Sequence, residues 1–405
     1  MSIRQIVLNS TVLVAALGYF VDIYDLVLFS IVRVESLNSL GISGDALLTN
    51  GVHLLDMQMG GMLIGGLVWG VLGDKRGRLS VLLGSILLYS LANLANAFVV
   101  NIEQYAALRL LAGIGLAGEL GAAITLVSEA LPRESRGYGT AFVAGIGVSG
   151  AVFAALIATY FSWRGAFVIG GLMGLALLLT RFKLRESTMF ADVREKAVSR
   201  GNFFLIVKSW PRFMRYIQCV LIGVPLWFCV GILATFSPEI CAALGATGPV
   251  SAGQSILYCY AGLSVGDILS GFLGQWWRSR KRVIGLFLAL FLVGAGVFLS
   301  LRNCEPSVYY LMFFILGIAA GYWAVINTVA AEQFGTNIRA TVAISVPNFV
   351  RGSVVLLTLA FRALTPSLGL IGSAGVVGSV CVLTAFAALA GLRESFGDDL
   401  NFIEE

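Results

Sequence analysis

The chain has 405 residues, of which 58% are hydrophobic and only 12% charged, and its mean hydropathy is +0.90. A soluble globular domain carries about 25% charged residues, so the composition excludes an ordinary soluble fold and implies a polytopic membrane protein. The net charge of +5 does not imply a nucleic-acid partner, because the basic residues fall in loops rather than along one face.

A membrane-spanning helix needs about 20 predominantly apolar residues. In chain order such segments lie near 10–32, 50–72, 80–100, 104–128, 138–160 and 164–182, then near 213–236, 252–274, 283–301, 308–330, 340–361 and 367–391. Scattered Gly and eight Pro suit kinked helices better than barrel strands, which would alternate apolar and polar residues. The expected fold is therefore all-α, with twelve transmembrane helices. Met1 to Ser10 leads straight into the first span, with no small-residue cleavage pattern. One long hydrophilic stretch divides the spans six and six. The expected domains are a six-helix bundle at 1–182, a cytoplasmic linker at 183–212 and a second six-helix bundle with a short tail at 213–405.

Lys and Arg set the orientation. With the N-terminus cytoplasmic, 21 basic residues fall on the cytoplasmic side. Four fall opposite (Arg33, Arg164, Arg302 and Arg362), and Arg109 and Arg351 lie within spans. This asymmetry places both termini in the cytoplasm. The most concentrated charge is the run Gly70-Val-Leu-Gly-Asp74-Lys75-Arg76-Gly77-Arg78, between two long apolar segments. Such a run cannot lie in hydrocarbon, so it is a tight surface turn, with Gly70, Gly73 and Gly77 allowing close approach and reversal.

The two halves echo each other. Gly70-Val-Leu-Gly recurs as Gly271-Phe-Leu-Gly, the Glu129/Arg136 pair as Glu332/Arg339, and Leu184-Arg-Glu-Ser187 as Leu392-Arg-Glu-Ser395, at offsets of 201, 203 and 208. Parallel repeats of six spans are one known design of secondary transporter.

Charges inside spans are costly and so mark function or pairing. Asp22 and Asp25 stand three apart on helix one, with Asp22 near the midplane, where a carboxylate must be paired, hydrated or protonated for part of a cycle. Arg109 and Glu119 lie on helix four, either as proton-handling groups or as structural partners of the helix-one carboxylates. Arg351 on helix eleven stays charged at any accessible pH, so it needs an anion: Asp267 on helix eight, or a solute carboxylate.

Other signals read as packing. The six Cys show no metal or redox spacing, and His53 is alone, so neither a metal nor another cofactor is expected. Gly113-Ile-Gly-Leu-Ala-Gly118 and Gly145-Ile-Gly-Val-Ser-Gly150 satisfy G-x-G-x-x-G, but neither follows a soluble strand, so they are read as flat surfaces for helix packing. No Walker motif is present, which argues against ATP-driven transport, and nothing pairs a nucleophile with a base as an enzyme would.

The sequence resembles the major facilitator superfamily over essentially its whole length. The resemblance is carried by Gly70 to Arg78, by Arg109-Leu-Leu-Ala-Gly113-Ile-Gly115 on helix four and by Trp163-Arg164-Gly-Ala-Phe167 at the start of helix six. Asp22-Ile-Tyr24-Asp25 and Gly115-Leu-Ala-Gly118-Glu119 are similar to the metabolite–proton symporters of the aromatic-acid and organic-acid type. The resemblance implies two bundles around a midplane cavity and proton coupling through Asp22, Asp25, Glu119 and Arg109. It implies solute contacts from Arg351, Tyr24, Trp227, Tyr322, Trp323, Asn327 and Asn348, on helices that line the cavity in that family. It also implies a cytoplasmic gate of Asp74, Arg78, Glu129, Arg136, Glu332 and Arg339, in which Asp74 caps helix eleven.

Helix five, Ala144 to Ala158, lacks the proline of drug exporters in that family. The expected function is proton-coupled uptake of a small, carboxylate-bearing organic solute by alternating access. The alternative is proton-driven export of a metabolite, siderophore or drug. The expected partners are a small solute, protons and the lipid bilayer, with no nucleic acid, for a monomer in a bacterial inner membrane.

Overall fold

The computed structural model describes residues 9–44, 46–131, 133–181, 203–335 and 338–397. Side chains of Asp74, Arg78, Glu129, Arg136 and Arg339 lie outside the described set, as do residues 183–202 of the expected linker. Apolar helices follow the expected order: helix one Ser10–Ser39, two Ala46–Arg76, three Arg78–Asn96, four Ile102–Leu116 with Glu119–Ala130, five Arg133–Tyr160 and six Trp163–Arg181. Then come helix seven, Trp210–Phe228, which runs on as a π-helical turn, Cys229–Ala234, and helices eight, Ala252–Trp276, and nine, Arg280–Ser300. Helix ten is Pro306–Ala320 with Trp323–Glu332. Short helices Phe204–Lys208 and Ser237–Ala243 flank helix seven, which starts at Trp210, inside the stretch expected to be linker.

The last apolar stretch, Thr341–Gly391, is 51 residues long. As a single helix it would span about 77 Å, against a hydrocarbon core of about 30 Å. It is two crossings. Gly369 breaks it with φ 67° and ψ 176°, three residues after Pro366, which separates helix eleven, opening at Arg339–Gly352, from helix twelve, ending at Gly391. The described residues thus hold twelve crossings in two six-helix bundles. The face carrying Arg33, Asn101 and Thr247 is the one expected to be outer, and the face of Gly77 and Ser279 the inner.

The repeat extends to atomic packing. A Cβ on Gly61 would lie 2.2 Å from the Leu110 carbonyl oxygen, and one on Gly113 2.0 Å from that of Gln58. In the second bundle Gly262 would meet the Phe314 carbonyl at 2.0 Å and Gly317 that of Cys259 at 2.0 Å. Helices two and four therefore cross in the same register as eight and ten, with backbones close enough that only glycine fits. Helices one and five approach likewise, since a Cβ on Gly150 would lie 2.1 Å from the Phe20 carbonyl.

Helices four and ten break at corresponding places, Ala117–Gly118 and Gly321–Tyr322. A broken span is tolerated where other groups satisfy the freed backbone. At the first break Trp69 Nε1 donates to the Ile114 carbonyl at 2.7 Å and Asn348 Nδ2 to that of Ala117 at 2.8 Å. At the second, the Ala324 amide donates to Asp267 Oδ1 at 3.1 Å. The Gly70–Arg78 run is not a turn along its length: its residues up to Arg76 complete helix two and Arg78 opens helix three, so the reversal is confined to Gly77, at φ 100°, where a side chain would be strained.

Candidate functional site

Helix one is buried on every side from Val21 to Ser30, as a helix enclosed by both bundles must be. It carries Asp22 and Asp25, both 0% exposed. Asp22 faces Arg351 of helix eleven, with Oδ2 3.6 Å from Nη2. That spacing attracts charge without making a hydrogen bond. Both Asp22 oxygens and Arg351 Nε and Nη1 consequently lack hydrogen-bond partners among the described residues. The Trp227 ring of helix seven lies 5.9 Å from the guanidinium carbon, and its own Nε1 is also unpartnered. Tyr19, one turn before Asp22, sits beside Trp323 in the fields of Asp22, Arg351 and Asp267. Gly147 of helix five makes the room, since a Cβ there would lie 1.9 Å from the Tyr19 ring.

Arg351 is thus held by Asp22 rather than by Asp267, which caps the second half of helix ten. The sequence left Asp267 or a solute carboxylate as the anion for Arg351; the break in helix ten supplies the amide that Asp267 accepts instead. Glu119 opens the second half of helix four and forms a fully buried ion pair with Arg181, whose Nη1 donates to Glu119 Oε2 at 2.8 Å and to the Leu82 carbonyl at 3.0 Å. It does not join the helix-one carboxylates directly. Gly18 accommodates this pair, since a Cβ there would lie 2.0 Å from Arg181 Nη2. Arg109 Nη2 donates to Asn93 Oδ1 at 3.3 Å, and its guanidinium stacks near Phe167 while acting on Asp25.

The remaining expected solute contacts divide. Trp227 stands with the Asp22–Arg351 pair, and Trp323 stands beside Tyr19. Tyr24 directs its hydroxyl to the Ala166 carbonyl of helix six at 2.8 Å, and Tyr322 to that of Ile222 at 3.1 Å, so both act within their own bundles. Asn348 bridges helix eleven to the break in helix four, which leaves its Oδ1 unpartnered; Asn327 Oδ1 on helix ten is likewise buried and unpartnered.

Both ends of the central site are sealed by contacts between the bundles. On the expected outer side Arg33 of helix one pairs with Glu239 at 2.7 Å and donates to the Thr235 carbonyl at 3.3 Å. Beside them Ser30 and Thr235 share a hydrogen bond of 3.1 Å, and Thr358 of helix eleven donates to Asp56 of helix two at 2.5 Å. On the inner side helix eleven lies against helices two and four, where a Cβ on Gly66 would be 2.8 Å from that of Asn348 and one on Gly121 2.5 Å from Ile344. Of the expected inner gate, Glu332 pairs with Arg280 at 3.2 Å and accepts from Ser395 at 2.6 Å. Arg280 corresponds in the repeat to Arg78, and Glu332 to Glu129. Glu394 closes the N-terminus of helix nine, accepting from Ser279 Oγ at 2.5 Å and from the Arg280 amide at 2.9 Å.

The sequence reading did not single out Arg181, Tyr19, Glu239, Thr235 or Asp56. Arg181 sits at the last residue of an apolar span and passes for a linker charge. Arg33 passes for an outer-loop charge.

Comparison with known proteins gives the same fold. The sequence profile of the Major Facilitator Superfamily matches residues 15–358. The chain is 28% identical to the sialic acid transporter NanX of Escherichia coli over 63% of its own length and 64% of that protein, so it spans just under two thirds of that relative. It is 36% identical to the 4-hydroxybenzoate transporter PcaK of Pseudomonas aeruginosa over 35% and 32% of the two chains. It is 24% identical to the gentisate transporter of Corynebacterium glutamicum over 92% and 85%. The partially occluded inward-open structure of the E. coli xylose transporter XylE superposes with a TM-score of 0.74 at 18% identity, covering 96% of this chain and 99% of that one.

Proposed function

Given that the chain belongs to the Major Facilitator Superfamily, with the family profile matching residues 15–358, and is an integral membrane secondary transporter rather than an enzyme, we propose that it takes up a small organic carboxylate together with a proton. The observation that carries this reading is the loose Asp22–Arg351 pair between the bundles, with its unsatisfied donors and acceptors. A solute carboxylate fits the open guanidinium nitrogens of Arg351 better than Asp22 does, because two parallel N–H···O bonds replace a contact without any. The Trp227 ring beside it favours a planar or aromatic body. Gentisate and 4-hydroxybenzoate, which the names of two relatives specify, have that form.

Charge balance then couples solute to proton. Empty, the site holds one carboxylate and one guanidinium. When a solute anion takes Arg351, a displaced and ionised Asp22 would be a buried unpaired charge, at a cost of several kcal/mol. Protonation of Asp22 removes that cost, so the loaded site is as neutral as the empty one and the bundles can rock either way. One proton accompanies each carboxylate, and a monoanion crosses without net charge. The protein works as a monomer in a bacterial plasma membrane with both termini cytoplasmic, the outer side closed by Arg33–Glu239 and the inner by helix eleven, the Gly70–Arg78 run and the Arg280–Glu332 pair.

Proteoliposomes test this reading. With acid outside, labelled gentisate or 4-hydroxybenzoate should accumulate, unaffected by an imposed membrane potential. Accumulation only into vesicles with an acid lumen would identify an exporter instead.

A further inference from the structure

Helices two and eleven, from opposite bundles, meet along a seam that is uncharged at its middle. A Cβ on Gly66 would lie 2.8 Å from that of Asn348, and one on Gly352 2.1 Å from the Leu63 side chain. Towards the outer end the seam carries a carboxyl group, that of Asp56, against the hydroxyl of Thr358. Thr358 is 0% exposed, so its bonding is decided by its protein neighbours. Its single hydrogen has three oxygens in reach: Asp56 Oδ1 at 2.5 Å, the Val354 carbonyl at 2.9 Å and the Val355 carbonyl at 3.0 Å. A carbonyl and an ionised carboxylate only accept, so one hydrogen cannot serve all three. Given to Asp56, it leaves the carbonyl contacts bare. Given back to the carbonyls, as Thr in a helix commonly does, it leaves the contact across the bundles as two oxygens with no hydrogen between them. A proton on Asp56 resolves the count, because the carboxyl then donates to Thr358 and Thr358 donates to its own helix. Around this end of helix two the charged and titratable groups are His53 on the same helix, Arg33 on helix one, Arg109 on helix four and Arg362 on helix eleven. Arg33 is engaged by Glu239 and Arg109 by Asn93. Arg362, one turn beyond Thr358, is the charge acting on Asp56, but it is exposed and the two form no ion pair among the described residues.

We propose that Asp56 is a proton-binding latch of the outer side: protonated in this closed form, it donates to Thr358 across the bundles, and its ionisation lets the outer end of the seam open. The hydrogen of the Asp56–Thr358 bond then belongs to the carboxyl group. In the opening step the Asp56 O–H bond breaks and the proton passes to external water. Thr358 keeps its own hydrogen on helix eleven, and the carboxylate is hydrated in the widened seam. The proton enters and leaves on the outer face, so it governs closure and is not carried across. The latch needs only alternating access; it holds whatever the solute and whether or not Asp22 carries a proton.

The test is a spin-label distance measurement on the full-length protein in nanodiscs, without solute. Labels go on Thr49→Cys and Ser367→Cys, exposed positions at the outer ends of helices two and eleven, with Cys304→Ser removing the partly exposed native thiol. From about pH 5.5 to about pH 8 the ratio of long to short distances should rise at least about tenfold when Asp56 is native. Asp56→Asn, whose amide donates to Thr358 at any pH, should keep the short distance throughout. No rise with native Asp56, or a rise of equal size in Asp56→Asn, would overturn the latch. Infrared spectra of the closed form read the proton directly. They should show a protonated carboxyl stretch that Asp56→Asn removes and that Thr358→Val, which takes away its acceptor, moves to higher frequency. Absence of that stretch, or a stretch that Thr358→Val leaves in place, would overturn the protonated bond.

Discussion

Asp22 on helix one and Arg351 on helix eleven hold the two bundles together through a contact of 3.6 Å that is an ion pair and not a hydrogen bond. The pair is buried, with side chains 0% and 1% exposed, so its looseness is not explained by competing water. On the proposed function it is the contact that a better-fitting solute anion would replace.

Removing the competitor should therefore strengthen anion binding. Asp22→Asn is expected to bind gentisate or 4-hydroxybenzoate about tenfold more tightly, equivalent to about 1.4 kcal/mol, while losing proton-driven accumulation. Arg351→Gln should bind neither, with a loss of at least about a hundredfold. Titration calorimetry on the purified variants, beside flux measurements, checks both signs. Weaker anion binding in Asp22→Asn would mean that this carboxylate supports the solute.

Arg33 supplies the ion pair of the outer seal, beside the Ser30–Thr235 and Thr358–Asp56 hydrogen bonds. Arg33→Ala should open that side, because Glu239 and the Thr235 carbonyl lose their shared donor. The arginine is buried but Glu239 is 20% exposed, so the loss is smaller than for a fully buried pair, yet a few kcal/mol shifts a balance between closed and open states. Ser30→Cys, buried in the closed form, reports the change. Its labelling by an impermeant thiol reagent from outside should accelerate in the Arg33→Ala background. The exchange Arg33→Glu with Glu239→Arg should slow it again.

Glycine content is not uniformly structural, and two positions separate the cases. Gly18→Ala would drive a methyl into the Glu119–Arg181 pair and should destabilise the protein by about 3 kcal/mol. Gly145→Ala meets nothing within 4 Å and should be neutral or slightly stabilising. Thermal unfolding in detergent distinguishes them, and equal melting temperatures would refute the assigned crowding at Gly18.

Acid should loosen the inner end of the second bundle. Burial pushes the Glu394 carboxyl up, but hydrogen bonds from Ser279 and from the Arg280, Lys281 and Phe396 amides outweigh it and hold the group below the usual carboxylate range. A lowered carboxyl contributes stability that is full above its unfolded value, about 4.3, and is lost as pH falls through the folded one. Glu394→Gln should lower the melting temperature at pH 7 and flatten its fall below about pH 4, as calorimetry across that range would show.

All twelve crossings were legible from apolar length alone, because a span must satisfy its backbone internally whatever its neighbours are. The breaks in helices four and ten were not legible. Ala117–Gly118 and Gly321–Tyr322 carry no proline, and their stability rests on Trp69, Asn348 and Asp267, which are distant in sequence. The same cause hid the partner of Arg351. The sequence marks which residues are charged mid-span, but pairing depends on how helices rotate, and that is set by where glycines let backbones touch. The pairing of Arg181 and Arg33 was hidden for a related reason, since a charge at the end of an apolar run looks the same whether it enters water or turns back into the protein.

The two broken helices differ in where their support comes from. Asp267 and Ala324 belong to the same bundle, so the break in helix ten carries its support with it through any rocking motion. The Ala117 carbonyl in helix four is served by Asn348 from the opposite bundle. On the rocking motion proposed above, that carbonyl would exchange its donor for water or solute when the inner half of helix eleven swings away, and regain it on return. In such a cycle the second bundle would keep the support of its broken helix, and the first would hold a hinge unlatched and relatched once per turnover.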